Sequence, residues 1–215
     1  TNYVADAVYR PAGGNWPEEE TNIFFRKDDD KMLAARLGIS VDQLLTDVSK
    51  AREKLFEHRS KRVRPGLDNK ILASWNGLML KGLTDAYRAF GKEAYLELAL
   101  KNAAFIDTAL ITPNGKLQRI FKSAEKGTGS VIAFLDDYAN VIDAFIGLYE
   151  VTFDLQWLNK ARKLTDIAIA GFYDAEQGLF YYTDNTGEAL IARKAEIMDG
   201  VIPASNSVMA RNLKK

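Results

Sequence analysis

The chain has 215 residues, 47% hydrophobic and 27% charged, which is typical of a globular protein with a substantial core. Its 29 basic and 29 acidic residues cancel, so charge gives no reason to expect nucleic acid or an acidic membrane as a partner. Without Cys and with one His, His58, it has no means to form disulfides, thiolate zinc sites or a two-histidine proton relay. We expect a soluble cytoplasmic protein without a metal or cofactor, because no signal-peptide or membrane-span pattern occurs.

The first elements in chain order are an irregular segment and a helix. Residues 1–38 are rich in turn formers and acidic residues, so no regular structure is expected there. Ser40 and Gln43 then have the spacing of a capping box. Apolar residues recur at helical intervals after them, and Pro65 prevents the helix from continuing.

Two more helices are predicted to form a hairpin. The second helix of the chain has Asp68 as its expected N-cap and ends at Gly91. It is apolar over most of its circumference, which indicates a buried helix. The third covers residues 92–110 with a narrower apolar stripe, and a turn and short strand follow it.

The rest of the chain repeats this plan with an offset of 62 residues. Tyr87 and Tyr95, for example, correspond to Tyr149 and Trp157, and a third copy begins near residue 205. Each hairpin combines a strongly apolar helix with a half-polar one, so neighbouring hairpins must pack side by side with the apolar helices inside. We therefore predict an all-α fold over residues 39–215. It would be part of a toroid of helical hairpins, either a fragment of a larger ring or an arc completed by another chain.

Four motifs in a fixed order resemble a known family. They are "GNWPEEETNIFF", "LFEHRSKRVRPGLDNKILASWNGLML", "LDDYANVIDAFIGLYE" and "MDGVIPASNSVMA". Together they resemble the thioredoxin-domain-containing family related to spermatogenesis-associated protein 20, over nearly the whole chain. The resemblance implies a partial (α/α)6 toroid of the six-hairpin glycosidase type, similar in fold to the N-acylglucosamine 2-epimerases, with short β-hairpins in its connecting loops. It also implies a thioredoxin-like domain as a partner, which this chain does not contain.

The chain departs from the family pattern at two places. It has Asp68-Asn69-Lys70 where the family has Asp-Asp-Lys. It also has Pro203-Ala204-Ser205-Asn206 where the family has Pro-Ser-Gly-Asn. The first change removes a carboxylate from the expected rim of a pocket, which weakens any acid-base role for that pair.

Polar and aromatic side chains occupy equivalent positions near the start of each apolar helix. They are Trp75 and Asn76 in the first copy, Asp137 and Tyr138 in the second, and Asn206 in the third. Equivalent positions in a ring lie at equal height, so we expect these side chains to face a common cavity that binds a sugar. Two alternatives stay open: Trp75 could be a core residue, and Asn76 and Asn206 could bind the backbone.

Carboxylates are the candidates for acid-base chemistry. Asp136 and Asp137 are the first choice, and Asp136 could instead be a simple N-cap of the helix that opens at "LDDYA". Glycoside hydrolysis needs two carboxyl groups about 5–10 Å apart on either side of one bond. Adjacent residues seldom achieve this, so the second group is expected to be Asp68 or Asp199. Arg193 is expected at the pocket rim, as a substrate-binding residue or in an ion pair with Asp199.

Two functions follow from these residues. The first is a carbohydrate-related toroid protein, glycoside-hydrolase-like or sugar-modifying, with a small-molecule carbohydrate in a central pocket. Hydrolysis fits better than epimerisation because a single His excludes a two-histidine proton exchange. The alternative is a non-catalytic scaffold or docking domain for the thioredoxin-like domain.

Overall fold

The computed structural model describes residues 28–121, 131–187 and 191–215. The chain divides into two compact units between Leu67 and Asp68. This boundary lies well after residue 38, where we expected the toroid to begin. Residues 1–27, most of the segment for which we expected no regular structure, lie outside the described residues.

The first unit contains two helices, α1 (Asp30–Leu37) and α2 (Val41–Ser60). Helix α1 lies in the segment expected to be irregular. It forms because the side chain of Asp29 accepts a hydrogen bond from the backbone N–H of Met32 at 2.8 Å, and Gly38 ends it in the left-handed conformation.

The predicted start of α2 is confirmed at its N-cap. The Ser40 hydroxyl oxygen accepts from the Gln43 N–H at 3.1 Å. The Gln43 side chain, however, donates to the Asp47 carboxylate at 3.0 Å. The side chain of Ser40 therefore caps the helix, and the amide of Gln43 supports the next turn instead.

The second unit is a succession of helical hairpins with short antiparallel strand pairs between them. Its elements are β1 (Ile71–Leu72), α3 (Ala73–Phe90), α4 (Glu93–Phe105) with a π-helical turn (Ile106–Leu110), β2 (Ile120–Phe121), α5 (Leu135–Thr152), α6 (Leu155–Phe172), β3 (Tyr173–Asp174), β4 (Leu179–Phe180) and α7 (Ser205–Lys214). Strand β1 pairs with β2, and β3 pairs with β4. None of the described helices combines the length and the apolar character needed to cross a membrane.

The predicted repeat of 62 residues is confirmed at both ends of the first helix in each hairpin. The bounds of α5 lie 62 residues after those of α3. Both helices also end in the same way. Gly91 and Phe153 adopt the left-handed conformation, and their N–H groups donate to the carbonyls of Tyr87 and Tyr149, each at 2.8 Å.

Helix α5 occupies the centre of the second unit. It packs against α3 of the preceding hairpin, its own partner α6, and α7 of the following one. Its residues from Asp137 to Leu148 are all buried. The expectation of apolar inner helices with half-polar partners is therefore confirmed for α5, and we refer to α3, α5 and α7 as the inner helices.

Glycines allow the inner helices α3 and α5 to approach closely. A Cβ atom added at Gly77 would lie 2.7 Å from the backbone carbonyl carbon of Asn140. A Cβ atom added at Gly147 of α5 would lie 3.1 Å from side-chain atoms of Lys81 and Thr84 in α3. At Gly77 the two backbones therefore meet without an intervening side chain, and this contact sets the spacing of the first two hairpins.

The predicted N-cap of α3 is wrong. Helix α3 begins at Ala73, and its N-cap is Leu72. Asp68 lies in the extended segment before it, where its carboxylate accepts from the Lys70 N–H at 3.2 Å and pairs with the Lys70 ammonium at 3.1 Å. The sequence pattern misplaced the helix start because residues 71 and 72 pair with β2 instead of joining the helix.

We predict that Gly77→Ala destabilises the second unit by about 1–3 kcal/mol, because the added methyl group meets a fixed backbone. Gly82→Ala is the matched control in the same helix, since nothing lies within 4 Å of a Cβ added there. It should stabilise the chain by about 0.5–1 kcal/mol. Urea unfolding followed by circular dichroism measures both, and equal stabilities of the two variants would contradict the close contact.

Candidate functional site

The carboxylate of Asp137 lies at the junction of two inner helices and is completely buried. One of its oxygens accepts from the Ser74 N–H at 2.9 Å, at the start of α3. The other accepts from the Phe134 N–H at 3.0 Å and from the Arg119 guanidinium at 2.9 Å. Asp137 therefore satisfies backbone donors at the N-terminal ends of both α3 and α5, where no intrahelical acceptor exists.

Asp136 is held by the same arginine but keeps some access to solvent. Its carboxylate lies 3.2 Å from the Arg119 guanidinium, and its side chain is 16% exposed. Phe134 occupies the N-cap position of α5 and its N–H donates to Asp137, so the alternative of Asp136 as N-cap is wrong. The sequence predicted both carboxylates as a pair, and the structure brings them together on one side of Arg119.

Burial and charge at this junction shift the pKa values of its acidic groups. Burial is the largest influence on the pKa of Asp137 and raises it, and the negative charge of Asp136 acts in the same direction. The N–H groups of Phe134 and Ser74 and the charge of Arg119 oppose this shift. Burial, together with the charge of Asp136, raises the pKa of the Tyr182 phenol to about 12.

Tyr182 and Phe134 complete the junction on its aromatic side. The rings of Phe134 and Tyr182 lie 5.0 Å apart, and the Arg119 guanidinium carbon lies 4.6 Å from the centre of the Phe134 ring. The negative charge of Asp136 acts on the Tyr182 phenol and helps to raise its pKa. We call Arg119, Phe134, Asp136, Asp137 and Tyr182 the α5 junction.

The three residues at equivalent repeat positions, Asn76, Tyr138 and Asn206, all bind the backbone of nearby strands or loops. Asn76 donates to the Leu72 carbonyl at 2.8 Å, and the Tyr138 hydroxyl accepts from the Leu117 N–H at 3.0 Å. The Asn206 amide accepts from the Phe180 N–H at 2.8 Å and donates to the Phe180 carbonyl at 2.9 Å. Each side chain therefore fastens a strand or loop to the start of an inner helix, which is the backbone alternative left open for the asparagines.

Trp75 is exposed, so the alternative of a core residue is wrong for the described part of the chain. Its side chain is 58% exposed, whereas Asp137, which occupies the same position in the next repeat, is buried. A groove of about 500 Å³ lies between α3 and α4 and is lined by Asn76, Lys101 and Asn102 among mainly apolar side chains, without Trp75. The exposed indole of Trp75 is available for contact with a ligand or another part of the protein.

Arg193 and Asp199 do not form the expected ion pair within the described residues. Arg193 donates to the carbonyls of Gly171 and Thr183, and its guanidinium carbon lies 4.3 Å from the centre of the Tyr181 ring. Asp199 accepts from the Ala204 N–H at 2.8 Å, just before α7 begins. Each group is used locally: Arg193 holds the loop after β4, and Asp199 accepts from the backbone just before α7 and from the Ser207 hydroxyl in its first turn.

Sequence analysis missed Arg119, Phe134 and Tyr182. These three residues lie in the connections between helices, whereas the repeat is visible in the helices themselves. Arg119 does carry a signal, because it immediately precedes a predicted strand close to two consecutive aspartates in the next helix. Arg119 is 17 residues from Asp136 and 18 residues from Asp137 in the sequence. The pairing of β1 with β2 brings Arg119 close to both carboxylates.

The chain is similar in sequence to proteins of animals. It is 33% identical to human spermatogenesis-associated protein 20 over 190 residues, which cover 85% of this chain and 24% of that protein. It is 34% identical over 197 residues to an uncharacterised protein of Caenorhabditis elegans, covering 89% of this chain and 27% of that protein. Most of this chain is homologous to a segment of spermatogenesis-associated protein 20. The chain spans about a quarter of the length of these relatives, and no model of a known protein family matches it.

Solved structures show the fold. A D-mannose isomerase matches with a TM-score of 0.51 at 19% identity, covering 67% of this chain and 38% of that one. The cellobiose 2-epimerase of Spirochaeta thermophila matches with a TM-score of 0.50 at 13% identity, covering 61% and 35%. The predicted fold class, helical hairpins of an α/α toroid with short strand pairs, is confirmed.

We predict that Asp137→Asn destabilises the chain by about 1–3 kcal/mol. Both carboxylate oxygens accept from N–H donors, so either orientation of the amide places its NH₂ group against a donor and leaves that donor unpaired. Asp136→Asn, at the partly exposed neighbour, should cost about 1 kcal/mol or less. Chemical denaturation of the two variants measures the difference, and similar losses for both would contradict the structural role of Asp137.

We predict that the pKa of Tyr182, about 12, makes its contribution to stability depend on pH. The folded chain retains the phenolic proton better than the unfolded chain, so this contribution is complete below pH 10, the ordinary pKa of tyrosine. It should be lost as the pH rises through about 12. Titration of ¹³C-labelled tyrosine by NMR, with Tyr182→Phe to assign the signal, gives the pKa. In Asp136→Asn the pKa of Tyr182 should move towards 10, and an unchanged value would exclude the influence of the Asp136 charge on Tyr182.

Proposed function

We propose that this chain forms part of the wall of a sugar-binding pocket, in a toroid protein that acts on carbohydrates by glycosidase-like or other sugar-modifying chemistry. The α5 junction carries this proposal. It presents a partly exposed carboxylate, Asp136, beside a guanidinium and a phenol. Such a combination of acceptor and donors suits sugar hydroxyl groups, and the neighbouring rings suit the apolar face of a sugar.

The names of the similar structures support this substrate class. Proteins with the same fold are described as a mannose isomerase and a cellobiose epimerase, and both names refer to sugars. Their identity to this chain is below 20%, so they support the choice of ligand class and leave the reaction open.

The two neighbouring aspartates would have different tasks in this pocket. Asp137 uses both oxygens on fixed donors inside the protein, which suits it to hold the geometry. Asp136 is the carboxylate that a ligand can reach, and we propose that it binds the sugar or transfers a proton to it. If the reaction is hydrolysis, the second carboxyl group would come from another part of the pocket, with Asp199 or Asp68 as candidates within this chain. Trp75 and Arg193 would contribute to binding.

The proposal is tested by a thermal-shift screen with cellobiose, mannose, mannobiose and the corresponding sugar phosphates. At least one sugar should raise the melting temperature, and Asp136→Asn should weaken its binding at least tenfold by calorimetry, because the amide cannot replace a charged acceptor. Asp107→Asn is the matched control, since Asp107 also pairs with a cation, Lys160 at 2.6 Å, and is 31% exposed. A complete absence of sugar binding, or equal binding by the Asp136 variant, would contradict the proposal.

The scaffold remains a second candidate, and one observation favours it. The polar groups of Asn76, Tyr138 and Asn206 are all engaged with the backbone, as a purely structural wall would require. In that case the chain would dock a thioredoxin-like domain. A pull-down with such a domain, expressed separately, distinguishes the two functions when it is combined with the sugar screen.

A further inference from the structure

Arg119 is fixed in place by its own backbone. Its N–H donates to the Val131 carbonyl at 3.0 Å, and its carbonyl accepts from the Ala73 N–H at 2.9 Å, at the first residue of α3. Because hydrogen bonds hold both its N–H and its carbonyl group, the backbone of Arg119 has a fixed position between the first and second hairpins.

One nitrogen of the Arg119 guanidinium serves both carboxylates of the α5 junction. It lies 2.9 Å from an Asp137 oxygen and 3.2 Å from an Asp136 oxygen. Asp137 cannot turn, because backbone N–H groups of Ser74 and Phe134 hold its two oxygens. The Phe134 ring supports the guanidinium from one face. Arg119 therefore connects the rigid Asp137 carboxylate to the more exposed Asp136 carboxylate.

We propose that Arg119 is a positioning residue, which holds the Asp136 carboxylate in one rotamer so that it faces a sugar in the pocket. The inference rests on the proposed function for its purpose. Without Arg119, two adjacent carboxylates would repel one another, and the Asp136 side chain would turn between rotamers in water. A lysine cannot replace it fully, because a single ammonium group lacks the planar fork and does not stack on Phe134 in the same way.

The direct test measures the rotamer of Asp136 by NMR, without any sugar. Three-bond couplings to its Cγ should show one rotamer in the 215-residue chain and averaged rotamers in Arg119→Gln. Arg119→Lys, which keeps the charge, should give intermediate values and covers the case in which Arg119→Gln does not fold. Arg88→Gln is the control, because Arg88 forms an ion pair with Glu150 at 3.2 Å and does not contact Asp136. Unchanged couplings in the Arg119 variants would overturn the proposal.

A double-mutant cycle tests the link to binding with any sugar found in the screen. Arg119→Lys should weaken binding at least fivefold in the normal background and have no further effect in the Asp136→Asn background. A purely structural role would give equal losses in both backgrounds and would overturn the proposal. If no sugar binds, the proposed function fails, while the NMR couplings still decide whether Arg119 positions Asp136.

Discussion

The buried carboxylate of Asp137 connects three parts of the second unit that are distant in sequence. It accepts from the backbone at the start of α3, from the backbone just before α5, and from Arg119 at the edge of β2. A carboxylate without solvent is costly, by several kcal/mol, unless donors surround it. The three donors offset that cost only if both helices and the strand are in place, so this contact makes the assembly of the two hairpins cooperative.

Around this contact, the starts of the inner helices are built by the same rule with different residues. A side chain of each helix binds the backbone of a nearby strand or loop: Asn76 in α3, Tyr138 in α5 and Asn206 in α7. The equivalent positions in the repeat therefore have the same structural role, although the residue types differ. These backbone contacts give the starts of the inner helices a rigid frame, next to which the partly exposed groups of the α5 junction lie.

Sequence patterns were sufficient to predict the helices after residue 38 and their repeat, but not α1, which lies in the segment expected to be irregular. The apolar periodicity is a property of short windows and the offset of 62 residues follows from comparing them, and α3 and α5 reproduce the offset at both ends. The cap of α3 was predicted wrongly, because its first N–H groups are satisfied by Arg119 and Asp137, which lie far along the chain. Asp137 could be selected from its place in the repeat. The sequence does not show, however, that Asp137 is buried while Asp136 is partly exposed, because burial depends on tertiary packing.

The close packing of α3 on α5 has a consequence for how a ligand could enter. At Gly77 helix α3 meets the backbone of α5 directly, and at Gly147 helix α5 meets the side chains of Lys81 and Thr84, so little room remains for the two helices to slide. Relative motion of α3 and α5 is therefore restricted at this contact. A ligand of the proposed pocket would therefore have to enter without α3 and α5 sliding past one another, because the two helices behave as a stiff body where they touch.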